Sequence, residues 1–182
     1  MPNELPRVTQ ILREVGLIDF SKVPDSVMIP AQKFGTAFHL ARHLWDKKTL
    51  DEAKLSESLI PYLSGYKKFQ KDFRFVVNPD ESERQFVSNK YGFKGSPDLW
   101  PIIQGKRTLI DTKTSTGMYP VTALQTAAYQ ILLEENGIKI HQRWGIKLTE
   151  DGTYNIEPYK KLSDRTMFLS ALNLYMWRKE NL

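Results

Sequence analysis

A chain of 182 residues, 41% of them hydrophobic and 12% aromatic, has enough apolar material to bury one sizeable core, which excludes a wholly disordered protein. It contains no cysteine, so disulfides, zinc–thiolate centres and iron–sulfur clusters are excluded together. The net charge of +5 is spread along the chain rather than gathered in a tail, which suits a polyanionic partner.

The opening residues Met1-Pro2-Asn3-Glu4-Leu5 have neither the basic flank nor the apolar run of a secretory leader, and no later stretch is apolar over the length of a membrane span. A soluble cytoplasmic protein, or a viral protein acting in the host cytoplasm, is the expectation. No repeat, low-complexity tract or linker divides the chain. Residues 1–182 are read as one domain, mainly helical over 1–78 and holding the sheet and a motif helix over 83–158.

Val8, Ile11, Leu12 and Val15 recur at helical spacing, and Gly16 stops them. Leu17 to Pro30, with Pro24 inside it, reads as a loop. From Ala31 a second helix is predicted, with Phe34, Phe38, Ala41, Leu44 and Trp45 on its apolar side. Leu50 to Lys54 can begin another helix. Leu55, Leu59, Leu63, Tyr66, Phe69 and Phe73 continue a stripe across Pro61, which marks a kink or a first turn. Opposite much of that stripe lie Lys67, Lys68, Lys71 and Arg74, a basic face able to contact phosphates or simply to be solvated. Asn78-Pro79-Asp80 is a turn, Glu83 to Ser88 a first strand, and Tyr91-Gly92 its hairpin connection.

The turn Gly95-Ser96-Pro97 delivers Asp98 to the start of the run Leu99, Trp100, Pro101, Ile102, Ile103. Gly105-Lys106 reads as a hairpin turn into a strand from Thr108 to Thr112. Side chains two apart in a strand share a face, so Asp111 and Lys113 project together with Leu109, while Ile110 and Thr112 face away. Two carboxylates with a gap between them are oxygen ligands for a hard divalent ion such as magnesium. A lysine beside that ion can orient a bound water or offset charge on a phosphate. The same Asp-x-Lys can also be a solvated pair at a strand edge, so its neighbours decide between the readings.

Thr114 to Tyr119 reads as a loop, and Pro120 opens a helix that buries Leu124, Ala127, Ala128, Ile131 and Leu132 and stops at Gly137. Gln125 and Tyr129, four apart, share one face of it. Ile138 to Leu148 is a strand, Asp151-Gly152 a hairpin turn, and Thr153 and Tyr154 lead a return strand to Pro158. Ser163 is placed to cap a last helix that buries Phe168, Leu169, Leu172, Tyr175 and Met176.

Five elements therefore stand in order: Gly35-Thr36-Ala37-Phe38-His39, Glu83, the Gly95 to Asp98 turn, Asp111-Thr112-Lys113, and Gln125 with Tyr129. This order resembles the RecB-like branch of the PD-(D/E)xK nuclease superfamily over about half of the chain, from His39 to Tyr129. The resemblance implies an α/β fold with a restriction-endonuclease-like core, a central mixed β-sheet flanked by helices, and a metal site at one end of the central hairpin. It implies that His39, Asp98 and Asp111 bind Mg2+ or Mn2+, with the backbone carbonyl of Thr112 as a further ligand. Lys113 would be the catalytic lysine, and Glu83 an auxiliary acid whose place Glu81 could take. Gln125 and Tyr129 would belong to the DNA-contacting surface, to which Lys67 and Lys71 could add phosphate contacts.

The third-motif acid is Asp111 rather than the commoner Glu, and the cysteines of the iron–sulfur members of the branch are absent. A small nuclease similar to the mitochondrial genome maintenance exonuclease-like members is the better comparison. The resemblance implies a metal-dependent exonuclease acting on DNA ends or single strands. A structure-specific or sequence-specific endonuclease on the same scaffold and a catalytically silent nucleic-acid-binding module are the alternatives.

Overall fold

The structure, a computed structural model, describes residues 4–115, 117 and 119–182. Its centre is strand β4 (Lys106–Lys113), in which the five residues from Thr108 to Thr112 are all buried. A strand covered on both faces needs a layer on each side. Leu109 packs into one apolar cluster and its neighbour Ile110 into another, so the alternation of side chains along a single strand divides the interior in two.

The sheet grows outward from β4. Ile102–Ile103 (β3) pairs with it antiparallel, and Gln142–Leu148 (β5) pairs with it parallel, placing Asp111 opposite Gly145. Tyr154–Tyr159 (β6) pairs antiparallel with β5, giving a mixed four-stranded sheet in the order β3-β4-β5-β6. Parallel neighbours cannot be joined by a tight turn. Helix α4 (Val121–Glu135) supplies the crossover between β4 and β5.

On the Leu109 side lie α1 (Val8–Glu14), α4, α5 (Ser163–Asn181) and a separate hairpin, β1 (Phe86–Ser88) with β2 (Phe93–Gly95). On the Ile110 side lie α2 (Asp25–Asp46) and α3 (Ile60–Phe73), which cover Leu99, Ile146 and Leu148. The protein is thus α/β, with helices on both faces of a mixed sheet, as expected from its sequence. No helix among the described residues is long and apolar enough to cross a membrane.

Local chemistry explains where the elements depart from the sequence expectations. Helix α2 begins at Asp25, six residues before Ala31, and runs through Pro30. Pro24 stands just before the helix and Asp25 places an acid in its first turn, a favourable end charge, while Pro30 forfeits one backbone bond inside it. Leu50 to Lys54 yields only a 3-10 turn at Glu52–Lys54, where the Asp51 side chain accepts from the Ala53 amide. Pro61 falls in the first turn of α3, which decides between a kink and a helix start.

The first strand spans only Phe86–Ser88, and Glu83 precedes it with φ 54°. Tyr91-Gly92 does lie in a hairpin connection, and the return strand β2 is only three residues long, too short for its extent to show as a periodicity. The β3–β4 turn is Gln104-Gly105, one residue earlier than read, with φ values of 50° and 74° that match a two-residue hairpin turn. Ser163 is the first residue of α5 and makes no capping hydrogen bond. Of the Thr114 to Tyr119 loop, residues 116 and 118 lie outside the described residues.

Candidate active site

The candidate site forms where two short backbone links join three segments. Single antiparallel bridges join Ser82 to Leu99 and Leu99 to Ile110. The residues beside these links, Glu83, Asp98 and Asp111, are therefore brought to one end of β4 from three separate segments. The Glu83 amide donates to the Asp98 carbonyl at 3.0 Å, which holds the acid-bearing loop against the start of the hairpin. His39 reaches the same place from α2.

Asp98 is 6% exposed and tightly held. Its Oδ2 accepts from the Thr112 amide at 2.6 Å and from the Thr112 hydroxyl at 2.7 Å. Its Oδ1 lies 3.5 Å from His39 Nδ1, which is itself 3.2 Å from Glu83 Oε1. Burial alone would raise the Asp98 carboxyl, but His39, Arg42, Lys113 and the Thr112 amide together hold it below the usual carboxylate range. Burial would likewise lower His39, and Asp98 with Glu83 outweighs it and raises the imidazole instead.

One ligand atom each from His39, Glu83 and Asp98 lies within 4.8 Å of the others, which makes these three the metal-competent cluster found among the described residues. The resemblance gives Glu83 an auxiliary role and puts Asp111 among the ligands. The structure brings Glu83 into the cluster and sets Asp111 beside it, 2.7 Å from Lys113 Nζ. The alternative acid, Glu81, pairs with Arg107 instead. Thr112 enters as the clamp on Asp98 through its amide and hydroxyl.

Asp111 has an unusual surplus of bonding capacity. It is 1% exposed; its Oδ2 is paired with the Lys113 ammonium at 2.7 Å, and its Oδ1 has no hydrogen-bond partner among the described residues. Burial pushes its carboxyl up, with Lys113 pulling the other way. Buried polar atoms are normally satisfied, so open lone pairs on a buried carboxylate beside three further donors suit a hard cation. The residues present therefore fit a divalent metal ion.

Lys113 lies beside the Asp111 carboxylate. Burial, which by itself would lower its pKa, is outweighed by Asp111 and Asp98, so the amine stays charged. It donates to Gln125 Oε1 at 3.3 Å, and Gln125 Nε2 donates to Tyr129 Oη at 3.0 Å. The shared helical face expected for Gln125 and Tyr129 thus lies against the lysine. Burial pushes the Tyr129 hydroxyl up, which keeps it a neutral hydrogen-bonding group.

Tyr129 owes its position partly to Gly95. A Cβ on Gly95 would lie 2.8 Å from Tyr129 Cε1 and 3.1 Å from both Leu132 Cδ1 and Val8 Cγ2, so two helices, α4 and α1, close over a backbone with no side chain. Gly95→Ala should cost about 1–3 kcal/mol, the usual range for overpacking, and displace the tyrosine. Chemical unfolding is the check, and an unchanged midpoint would contradict it.

Arg42 is the residue that sequence reasoning missed. It is fully buried one turn beyond His39, within the apolar run Phe38, Ala41 and Trp45. A charge on the face expected to be apolar was the signal available. Its guanidinium donates to Asp46 at 3.1 Å, Ser82 Oγ at 3.2 Å and the Asp98 carbonyl at 3.3 Å, and it also pairs with Glu83 Oε1.

Burial pushes Asp46 up to about 6, with Arg42 opposing it. A carboxyl raised on folding binds protons more readily in the native state, so its contribution to stability falls as pH rises from the ordinary carboxylate range through about 6. Relative to Asp46→Asn, the wild type should lose stability from about pH 4 to about pH 6.5. Urea unfolding at a series of pH values tests this, and parallel profiles would refute it.

The remaining named residues stand outside the cluster. Lys67 pairs with Glu52 at 2.7 Å and sits 3.9 Å from the centre of the Trp45 ring. Lys71 is exposed one turn further along α3. Trp100 is 1% exposed and packs edge-on against Phe86, which removes it from any stacking on bases, whereas Tyr119 is 52% exposed.

No protein-family model matches the chain, and no curated protein sequence matches it. Among solved structures it superimposes on a presumed exonuclease from Eubacterium rectale with a TM-score of 0.58 at 13% identity, covering 80% of this chain and 65% of that one. The chain thus spans just under two thirds of that protein's length. It also aligns with an alkaline exonuclease from Laribacter hongkongensis at a TM-score of 0.35 and 13% identity, over 70% of this chain and 76% of that one. The second likeness is too loose to carry an argument. The first establishes a shared fold: an α/β chain whose mixed sheet is flanked by helices, built like the Eubacterium rectale protein.

Proposed function

We propose that this chain is a metal-dependent deoxyribonuclease of the RecB-like branch of the PD-(D/E)xK superfamily, hydrolysing phosphodiester bonds at DNA ends or in single strands. The observation that carries the reading is the buried carboxylate of Asp111, one oxygen paired with Lys113 and the other open, beside the His39, Glu83 and Asp98 cluster. That the structurally similar Eubacterium rectale protein is described as an exonuclease supports it.

His39, Glu83, Asp98 and Asp111 would hold Mg2+ or Mn2+, and when bound the ion supplies Lewis acidity and a water of lowered pKa. Lys113, held cationic beside Asp111, offers a fixed positive charge to the phosphate oxygens as negative charge builds on them. Gln125 and Tyr129 hold that ammonium in direction, and Thr112 fixes the orientation of Asp98. Tyr119, exposed between β4 and α4, would stack on an unpaired base.

The test is digestion of linear single-stranded, linear double-stranded and covalently closed circular DNA, with and without each metal, by the intact chain and by Asp111→Ala. Metal-dependent loss of the linear substrates, absent in the variant, is expected. Cleavage retained by Asp111→Ala, or no cleavage with either metal, would overturn the proposal; cleavage of closed circles would make the enzyme an endonuclease.

A further inference from the structure

We propose that Arg42 is a positioning residue for the candidate metal centre, acting through Glu83. The inference rests on the nuclease reading only in requiring that the His39, Glu83 and Asp98 cluster binds a divalent cation.

Glu83 is a poor ligand when left to its own backbone. It sits in a loop with φ 54°, a conformation that side-chain-bearing residues seldom adopt, and its side chain is 28% exposed. A free glutamate there would swing toward water. What holds it is the guanidinium of Arg42, whose Nη2 donates to both Glu83 Oε1 and the Asp98 carbonyl. The same oxygen faces His39 Nδ1, so one arginine sets the position of Glu83 relative to both other donors.

The guanidinium is in turn fixed from behind. Asp46, one turn further along α2, accepts from Arg42, from the Tyr66 hydroxyl at 3.0 Å and from Gln70 Nε2 at 2.9 Å. Gln70 Oε1 accepts from Trp45 Nε1 at 2.8 Å. A chain of hydrogen bonds therefore runs from α3 through Asp46 and Arg42 to Glu83. Arginine suits the role because its planar fork reaches several acceptors at once.

The test separates position from charge. Arg42→Gln with Asp46→Asn removes one positive and one negative charge together, keeps amide partners for Tyr66 and Gln70, and is too short at residue 42 to reach Glu83. Mn2+ binding to the full chain is measured by electron paramagnetic resonance, with thermal melting to confirm folding, in the wild-type and Glu83→Gln backgrounds. The expected result is at least a tenfold weakening in the wild-type background and less than a twofold change when Glu83 is already Gln. Equal weakening in both backgrounds, or none in the first, overturns the role of Arg42 while leaving the nuclease reading intact. Absence of Mn2+ binding by the wild type overturns the nuclease reading itself, and the positioning role with it. If the double variant melts below the assay temperature, Arg42→Lys, which keeps the charge but lacks the fork, enters the same two-background comparison under the same criteria.

Discussion

Lys113→Ala should lower the DNA cleavage rate by about 10²–10³-fold, the usual effect of removing one preorganised group that stabilises transition-state charge, while Mn2+ affinity stays within about threefold. The ammonium lies 2.7 Å from Asp111 and donates to Gln125, so it is held in place before any substrate arrives. It is not one of the donors, and removing a cation beside the cluster does not weaken the attraction for another cation. Single-turnover cleavage combined with a direct Mn2+ titration distinguishes the two effects. A variant that loses metal affinity in step with rate would assign Lys113 to maintaining the site. Full retention of rate would remove it from the chemistry.

The second large effect is on stability. Asp164→Ala should destabilise the fold by about 3–5 kcal/mol, because it leaves the Arg143 guanidinium without its carboxylate in the interior. Both residues are 7% exposed, and Arg143 Nη2 donates to Asp164 Oδ2 at 2.8 Å. Arg143 also donates to the Ala123 carbonyl at 2.8 Å and the Lys161 carbonyl at 3.1 Å. One side chain from β5 thereby joins the first turn of α4 to the start of α5. A loss of that size is a large part of the roughly 5–15 kcal/mol by which domains are stable. Urea unfolding of Asp164→Ala and of the apolar pair Arg143→Met/Asp164→Leu makes the comparison. The single change should be the worse of the two, since replacing a whole buried pair avoids stranding a charge. Equal losses would show that the carbonyl contacts of Arg143, rather than its ion pair, carry the effect.

The two variants probe layers of the fold that the sequence disclosed unequally. Repeating local patterns disclosed the α/β class: apolar residues at helical spacing marked α1, the later part of α2, α3, α4 and α5. The alternation around Asp111 placed Leu109 on one face and Ile110 on the other, where the two apolar clusters now lie. Gln125 and Tyr129, predicted to share a helical face, are joined at 3.0 Å. In each case a covalent period of about two or four residues fixes where side chains project, whatever surrounds them.

Short or charge-driven features were not legible in that way. Strands of two or three residues have no period to read, so the extent of β2 did not show and Glu83 was assigned to a strand it only precedes. Arg42 was not legible because, apart from Asp46 one turn away on the same helix, its partners Ser82, Glu83 and the Asp98 carbonyl come from distant parts of the chain. Arg143 and Asp164, 21 residues apart, were invisible for the same reason.

The sequence by itself determined the class of fold, the face that carries Asp111 and Lys113, and the kinds of donor available for a hard cation. Only the tertiary structure decided that Glu83 joins His39 and Asp98 in the tight cluster, that Thr112 clamps Asp98, and that Asp111 is left with open lone pairs. The physical reason is range: backbone periodicity acts over a few residues, whereas the polar contacts of the site close only when segments distant in sequence are packed together and shielded from water.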